Sequence, residues 1–289
     1  METILKSAKK TVTISPEKPT VLIGERINPT GKKRLAAALA EGNLDVVRKE
    51  ALAQLEAGAD VLDVNVGAAG VDEVDLLPKA VRLVMETVAV PVCIDSADVD
   101  ALRAALAVHR EMAPEGKPLI NSVNGEEDRL EQVLPLVAEY GTAVIGLAMD
   151  DEGIPNTSER RLAVARKIVG RAEALGIPRE DVVIDCLALT VGADSQAGVI
   201  SLGAMRLVRE ELGVNMTLGA SNVSFGLPDR EVINWAFLAM AIQSGVNCPI
   251  VDAAKVRLAI LASDLLLGRD DYAMRYIKDY KKRSKVRSE

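Results

Sequence analysis

The sequence predicts an α/β protein folded as a closed (β/α)8 barrel. Three observations predict this fold: short apolar runs rich in β-branched residues recur eight times, a helical pattern follows each run, and the runs lack polar alternation. Apolar strands without polar alternation are buried on both faces, as in a parallel sheet covered by helices. Strands that alternate with helices form βαβ units, and eight units in one chain match a closed barrel. The 289 residues suit one domain, because such barrels use roughly 200–250 residues.

The predicted elements follow one another in a regular order. The strands are VLIGERI (Val21 to Ile27), ADVLDVNVG, PVCIDS, PLINSVN, AVIGLAMD, DVVIDCLA, NMTLGASN and NCPIVDA. The helical segments between them include the text from Lys32 to Gly58, VDLLPKAVRLVMETV, DVDALRAALAVHR, EEDRLEQVLPLVAEYG, RLAVARKIVGRAEALG and VINWAFLAMAIQSG. An open doubly wound sheet is the alternative fold. It usually carries a glycine-rich first turn, and the turn Gly24-Glu25-Arg26 lacks the GxGxxG spacing.

The chain divides into a barrel and two flanking segments. We expect an N-terminal arm at residues 1–20, a barrel at residues 21–268, and a C-terminal helix with a basic tail at residues 269–289. No shift in composition marks a linker within the barrel. We therefore expect one domain.

The composition argues against several classes of function. Aromatic residues make up 2% of the chain and the net charge is −7, so it lacks the aromatic platforms and basic groove that bind single-stranded nucleic acid. Cys93, Cys186 and Cys248 lie far apart in apolar runs, and His109 is the one histidine. This pattern indicates no metal site and reduced thiols in a cytoplasmic protein. We expect no signal peptide, no membrane span and a surface position for His109.

Polar side chains close every predicted strand. In chain order they are Glu25, Arg26 and Asn28; Asp63 and Asn65; Asp95 and Ser96; Asn121 and Asn124; Asp150; Asp185; Ser221 and Asn222; and Asp252. Active-site side chains of a barrel project from the carboxyl ends of its strands. The plain structural explanation is that Asp, Asn and Ser cap the helices that follow.

Three of these carboxylates lie inside apolar runs: Asp63 in LDVNV, Asp95 in CIDS and Asp185 in VIDCLA. Burying a carboxylate is costly without a hydrogen-bond donor, so three at one barrel mouth indicate a ligand that donates hydrogen bonds. Carboxylates and amides suit a planar heterocycle with adjacent N–H groups, such as a 2-amino-4-oxo pterin or guanine. A phosphate ligand is the weaker alternative. It would call for glycine-rich turns and several basic residues, and GASNVSFGLPDR offers one arginine, Arg230.

The motifs IGERINPTGKKRL, DVNVG, CIDS, INSVN, DVVID, GASNVSFG and RxxINxxFLAMA resemble the pterin-binding methyltransferases that act on methyltetrahydrofolate and a corrinoid protein. The folate domain of cobalamin-dependent methionine synthase is related to them. The resemblance runs from about Val21 to Leu267 and is specific because IGERIN, DxNVG and GxSNVS occur in this order. It implies a homodimeric (β/α)8 barrel and a partner protein that carries the cobalamin. The N-terminal arm and the NPTGKK turn depart from some stand-alone members.

The resemblance also implies roles for individual residues. Asp95, Asn121 and Asp185 would hydrogen-bond the pterin ring, and Asn222 would reach the methyl-bearing N5. The remaining site residues would line or support the site: Asp63, Asn65, Gly219, Ser221 and Arg230. Cobalt(I) is itself the nucleophile, so the protein need only orient the pterin and stabilise a protonated or proton-sharing N5.

Two other functions remain as alternatives. A dihydropteroate synthase-like condensation enzyme would show a lysine-bearing motif at strand seven, where this chain has GASNVS. A catalytically silent subunit that binds a pterin or a corrinoid protein would need no intact polar ring. The sequence leaves open the direction of methyl transfer and the identity of the corrinoid protein. It also leaves open whether the basic tail attracts an acidic partner.

Overall fold

Eight parallel strands form the barrel in the described part of the chain, which a computed structural model gives as residues 1–288, with side chains for residues 1–284. The strands are β3 (Ile23–Ile27), β4 (Val61–Val64), β5 (Val92–Asp95), β6 (Leu119–Asn124), β7 (Ala143–Leu147), β8 (Val182–Asp185), β9 (Met216–Thr217) and β10 (Ile250–Val251). They pair in chain order, with β10 beside β3. A parallel bridge between Gly219 and Ile250 joins the last two segments. The predicted (β/α)8 fold and all eight of its strands are confirmed.

Helices cover the outside of this barrel. They are α1 (Lys33–Ala40), α2 (Asp45–Ala57), α3 (Glu73–Thr87), α4 (Val99–Met112), α5 (Glu127–Tyr140), α6 (Ser158–Ala174), α7 (Ala197–Glu211), α8 (Arg230–Ser244), α9 (Ala253–Leu266) and α10 (Met274–Ser288). Short 3-10 helices occur at Arg179–Asp181, Ala220–Ser224 and Asp271–Ala273. None of the helices within residues 1–288 combines the length and apolarity needed to cross a bilayer.

The helical text from Lys32 to Gly58 is two helices, α1 and α2, rather than one. Gly42 separates them with a φ of +70°, a left-handed conformation that glycine adopts without steric cost. The hydrophobic pattern alone does not show this break, because apolar spacing continues on both sides of the turn.

The N-terminal arm is a β-hairpin, which the sequence did not predict. Its strands β1 (Thr3–Lys6) and β2 (Thr11–Ile14) pair antiparallel. The buried side chains of Leu5 and Ile14 pack with the apolar residues that fill the barrel interior, including Cys93 and Cys248. The hairpin therefore closes the amino-terminal end of the barrel and leaves the carboxyl end as the open one.

The C-terminal helix α10 is fastened to the barrel by buried carboxylates. Asp264 accepts hydrogen bonds from the backbone N–H of Thr20 (2.9 Å) and from Arg275 (2.9 Å). Asp279 on α10 pairs with Arg257 of α9 (2.8 Å) and Arg283 (2.7 Å). Glu289 and the side chains of residues 285–288, which belong to the predicted basic tail, lie outside the described residues.

The expectation of a surface position for His109 is wrong. Its side chain is 3% exposed on the inner side of α4, and a Cβ on the neighbouring Gly116 would lie 2.7 Å from its ring carbon Cε1. Burial lowers the His109 pKa to about 4, so the ring is neutral at pH 7. All three cysteines are buried and free.

Candidate functional site at the carboxyl end of the barrel

The structure brings three of the predicted strand-end residues, Asp63, Asp95 and Asn121, together on one side of the barrel mouth. Asp95 at the end of β5 stands in register with Asn121 of β6. The Asn121 side-chain Nδ2 donates to Asp63 Oδ1 of β4 at 3.2 Å. Three adjacent strands thus place two carboxyl groups and an amide in mutual reach. The register of β6 shifts between Asn121 and Val123, a bulge that redirects side chains at this point of the strand.

Asp63 and Asp95 form a hydrogen-bonded carboxyl pair. Asp63 is only 2% exposed, and burial, followed by the charge of Asp95, raises its pKa well above the ordinary value. The pKa of Asp95 is raised to about 6, chiefly by burial, while hydrogen bonds from Asn65 and Asp63 lower it. Two carboxyl groups in contact cannot both ionise cheaply. We conclude that Asp63 is protonated and that its hydroxyl group donates a hydrogen bond to the carboxylate of Asp95.

Asn65 and Glu73 support this pair from the loop after β4. The Asn65 Oδ1 accepts the N–H of Gly67 at 2.8 Å, which leaves its amide N–H for Asp95. Glu73, at the first turn of α3, accepts a hydrogen bond from the Ser96 hydroxyl at 2.6 Å. Ser96 follows Asp95 directly, so Glu73 fixes the chain just beyond the carboxylate. Glu73 is a site residue that the sequence reasoning missed, because it reads as an ordinary helix-start acid.

Arg129 is a second residue that the sequence reasoning missed. Its guanidinium group donates to three backbone carbonyls, those of Ser96 (3.1 Å), Ala97 (2.7 Å) and Ser122 (2.9 Å). These bonds tie the loop after β5 to β6 and fix the spacing between Asp95 and Asn121. Arg129 lies in the charged first half of α5, where nothing in the sequence distinguishes it from a solvated side chain.

Asp185 ends strand β8 and is buried. It accepts the backbone N–H groups of Leu187, at 2.7 Å, and of Gly219. Burial raises its pKa to about 6, and these two donors oppose that rise. Such a carboxylate is largely ionised at neutral pH. It can therefore accept N–H groups of a ligand through charge-assisted hydrogen bonds.

Arg161 holds the chain that follows Asp185. Its side chain, 1% exposed, donates to the carbonyls of Pro155 (2.9 Å), Cys186 (2.8 Å) and Leu187 (2.7 Å). These bonds hold Leu187 at a φ of +60°, an uncommon value for a non-glycine residue. Arg161 is the third missed residue, since it reads in the sequence as one of several charged residues of α6.

Gly219, Ser221 and Asn222 belong to the turn between β9 and α8. This turn contains the 3-10 helix Ala220–Ser224, and Asn222 is exposed on it. A Cβ at Gly219 would lie 3.3 Å from Asn222 Nδ2, so a larger residue there would crowd the amide. The turn sits next to Asp185, because the N–H of Gly219 donates to that carboxylate.

Arg230 lies against this turn. Its guanidinium donates to the Ser221 carbonyl at 2.7 Å and to the Ser224 hydroxyl at 3.0 Å. The Ser224 hydroxyl donates in turn to Asn234 on α8 at 2.7 Å. Arg230 thus holds the turn in place, which fits a supporting role and not that of an anion ligand.

A groove of about 1010 Å³ lies outside the barrel, between the ends of α2, α8 and α9 and the inner face of α10. Trp235, Arg257 and Lys278 contribute to its walls. None of the strand-end residues lines it, so the candidate site rests on the geometry of the barrel mouth. Among the residues with described positions, no group of three or more His, Cys, Asp and Glu side chains is placed to hold a metal ion.

Comparison with known proteins relates this geometry to a family. Residues 24–252 match the family model described as pterin binding enzyme. The chain is 30% identical over 269 residues to a methylcorrinoid:tetrahydrofolate methyltransferase of Eubacterium limosum, covering 90% of this chain and 96% of that protein. It is 33% identical to methionine synthase of Mycobacterium leprae over 83% of this chain, and it spans 21% of that longer protein.

Solved structures share the fold at lower identity. A Yersinia pestis dihydropteroate synthase bound to a pterine-sulfa conjugate superposes with a TM-score of 0.70 and 17% identity, covering 93% of this chain and 99% of that one. A Xanthomonas albilineans dihydropteroate synthase bound to 7,8-dihydropteroate gives a TM-score of 0.65 and 21% identity, with 92% and 99% coverage.

Proposed function

The chain belongs to the pterin binding enzyme family, and from this premise we propose that it is a methyltransferase moving the N5-methyl group between methyltetrahydrofolate and the cobalt of a corrinoid protein. The observation that carries the proposal is that the strand ends place Asp95 beside Asn121, and Asp185 beside the turn that contains Asn222. The relative from Eubacterium limosum, which this chain matches over nearly its whole length, is named for that reaction.

Asp95, Asn121 and Asp185 bind the pterin by its edge. The two carboxylates accept adjacent N–H groups of the 2-amino-4-oxo ring, and the amide of Asn121 both donates and accepts. Asp63 and Asn65 position these side chains. Asp63 hydrogen-bonds Asn121 and Asp95, and Asn65 hydrogen-bonds Asp95. Gly219 and Ser221 line the site, and Arg230 braces their turn.

Asn222 shares the hydrogen bond of a protonated N5. Protonation makes the nitrogen a better leaving group, and an oriented amide oxygen stabilises the positive charge that the proton brings. The N5–CH3 bond then breaks, the bond electrons return to N5, and the methyl group joins cobalt(I), which supplies the electron pair of the new bond. Tetrahydrofolate leaves with the proton on N5. The same steps in reverse transfer the methyl group from the methylated corrinoid to tetrahydrofolate.

A spectroscopic assay tests the proposed function. The protein is mixed with methyltetrahydrofolate and cob(I)alamin, and the conversion of cob(I)alamin into methylcobalamin is followed by absorbance. We expect transfer by the wild-type protein and no transfer in its absence. Failure to transfer in either direction would contradict the proposal. Condensation of a pterin pyrophosphate with aminobenzoate would indicate the dihydropteroate synthase alternative, and folate binding without either reaction would indicate a silent subunit.

We also propose a homodimer in the cytoplasm. Helix α8 carries large apolar side chains on its outer face: Val232, Trp235 and Met240 are all exposed in the single chain. Contiguous exposed apolar residues mark association surfaces, and a second copy of the chain would cover them. Three buried free cysteines suit a reducing compartment.

A further inference from the structure

Phe225 is a large aromatic side chain left in solvent at the barrel mouth. It is 69% exposed. The chain contains only two phenylalanines, and the other, Phe237, is buried. The backbone N–H of Phe225 donates to the Asn222 carbonyl at 3.1 Å, so the ring stands one turn beyond the amide assigned to N5. Leu189, 37% exposed, lies on the neighbouring loop after β8.

Hydrogen bonds to the loop after β8 fix the backbone of the turn that carries Phe225. The Thr190 hydroxyl donates to the Phe225 carbonyl at 2.6 Å, and the N–H of Val191 donates to the Val223 carbonyl at 2.9 Å. These bonds join the Leu189 loop to the Phe225 turn. The Arg230 guanidinium lies 5.9 Å from the centre of the Phe225 ring. An exposed aromatic ring on a fixed turn is preorganised for contact, unlike one on a frayed loop tip.

The proposed reaction determines what approaches this surface. Reacting atoms must come within roughly 3–3.5 Å in line, so the cobalt must approach the methyl carbon on N5, close to the turn that carries Asn222. Because the cobalt lies at the centre of a broad, flat corrin ring, the ring must spread over the residues surrounding Asn222. The face of the corrin ring is broad and rich in C–H groups. It therefore suits an aromatic and aliphatic support.

We propose that Phe225 and Leu189 form the surface on which the corrin ring rests during methyl transfer. This inference rests on the proposed function and names the contact that the second substrate makes with this chain. The pterin-binding side chains lie at the strand ends, whereas Phe225 faces solvent on the turn beyond them. The ring is thus placed to meet the corrinoid and not the pterin.

The test separates corrinoid contact from folate contact. Phe225→Ser and Phe225→Tyr are compared with the wild type in methyl transfer at varied cob(I)alamin concentration, and methyltetrahydrofolate affinity is measured by calorimetry. Val199→Ser, at a residue 59% exposed on α7, is the matched control. We expect Phe225→Ser to raise the half-saturating cob(I)alamin concentration about tenfold, as for loss of an aromatic anchor. Folate affinity should stay within about twofold, and Phe225→Tyr should restore wild-type behaviour.

Four results would overturn the inference. If the wild type transfers methyl and the Phe225→Ser variant depends on cob(I)alamin concentration in the same way, Phe225 does not contact the corrin ring. The proposed function would then still stand. A loss of folate affinity with unchanged cob(I)alamin dependence assigns the ring to the folate instead. Absence of transfer by the wild type removes the proposed function and this inference with it. An equal effect of Val199→Ser would show that the response is not specific to the mouth.

Discussion

In the proposed reaction, Asn222 contributes to the chemical step rather than to folate binding. It is exposed on a short 3-10 helix, whereas Asp185 is buried and Asp95 is half-buried. The Asn222 amide would interact most strongly with N5 when positive charge develops there during the reaction. Such an interaction stabilises the transition state more than the bound ground state.

Replacing this amide gives the first prediction. We expect Asn222→Ala to lower the single-turnover rate of methyl transfer about 100-fold or more, the range seen when one such hydrogen-bonding group is removed. Folate affinity measured by calorimetry should change by no more than about threefold. Asn43→Ala, at an exposed asparagine between α1 and α2, should match the wild type. An unchanged rate in Asn222→Ala would remove the residue from the mechanism.

The proposed binding of folate by Asp95 and Asp185 predicts that folate affinity depends on pH. Each has a pKa raised to about 6 by burial, and each must be ionised to accept two N–H groups. We therefore expect affinity to be constant above pH 7 and to fall as the pH drops through about 6, by up to tenfold per unit for each group that protonates. Affinity that rose at low pH would contradict this.

Asp185→Asn should reduce folate affinity at pH 7.5 by about 10- to 100-fold, because the amide loses one charge-assisted acceptor. It should not lower the stability of the unliganded protein. The pKa of Asp185 in the folded state lies above its unfolded value, so the contribution of Asp185 to stability increases as the pH falls toward 4. The ionised Asp185 is thus a stability cost at neutral pH. A melting temperature well below that of the wild type would contradict this account.

At the scale of elements, the strands were predictable and several connections were not. A polar residue inside an apolar run, as in CIDS or VIDCLA, can be recognised in the sequence alone. Asp95 and Asp185 could therefore be located from the sequence. Arg129, Arg161 and Glu73 could not be located, because helical spacing records only which face is charged. Whether a charged side chain meets solvent or a backbone carbonyl depends on the loop packed above it.

The same limitation applies to larger pieces. The hairpin β1–β2 is short, and its burial depends on the empty end of the barrel that it covers. The helical spacing puts His109 on the polar side of its helix and predicts a surface position, yet the turn at Gly116 closes over the ring. The periodicity of apolar residues predicts a helix or a strand, but it does not predict which of its side chains another segment of the chain buries.

The loop after β8 supplies a prediction at this scale. Arg161→Met leaves the carbonyls of Pro155, Cys186 and Leu187 without their donor. We expect it to lower the free energy of unfolding by about 3 kcal/mol or more, as for a buried, multiply bonded polar group. Folate affinity should fall with it, because Leu187 also binds Asp185. Arg160→Met, at the exposed neighbour paired with Glu152, is the control and should leave stability nearly unchanged in denaturant titration.

For the whole molecule, the outer face of α8 is the surface through which we propose that two copies of the chain associate. Val232 is 71% exposed, and Trp235 and Met240 lie on the same helix, 38% and 49% exposed. The Trp235 indole N–H donates to the Lys255 carbonyl at 2.9 Å, which fixes the ring with part of its surface in solvent. Exposed apolar side chains on one helix suit a two-fold dimer, in which the same residues of both copies meet.

Dimerisation through this face gives the last prediction. Light scattering should show twice the mass of one chain for the wild type, and the melting temperature should rise with protein concentration, because association stabilises the folded state by mass action. Val232→Glu would bury a charge at the contact and should give a monomer with intact folate binding. Val74→Glu, at a residue 41% exposed on α3, should remain dimeric. A monomeric wild type would exclude the pair, and a dimeric Val232→Glu variant would place the contact elsewhere.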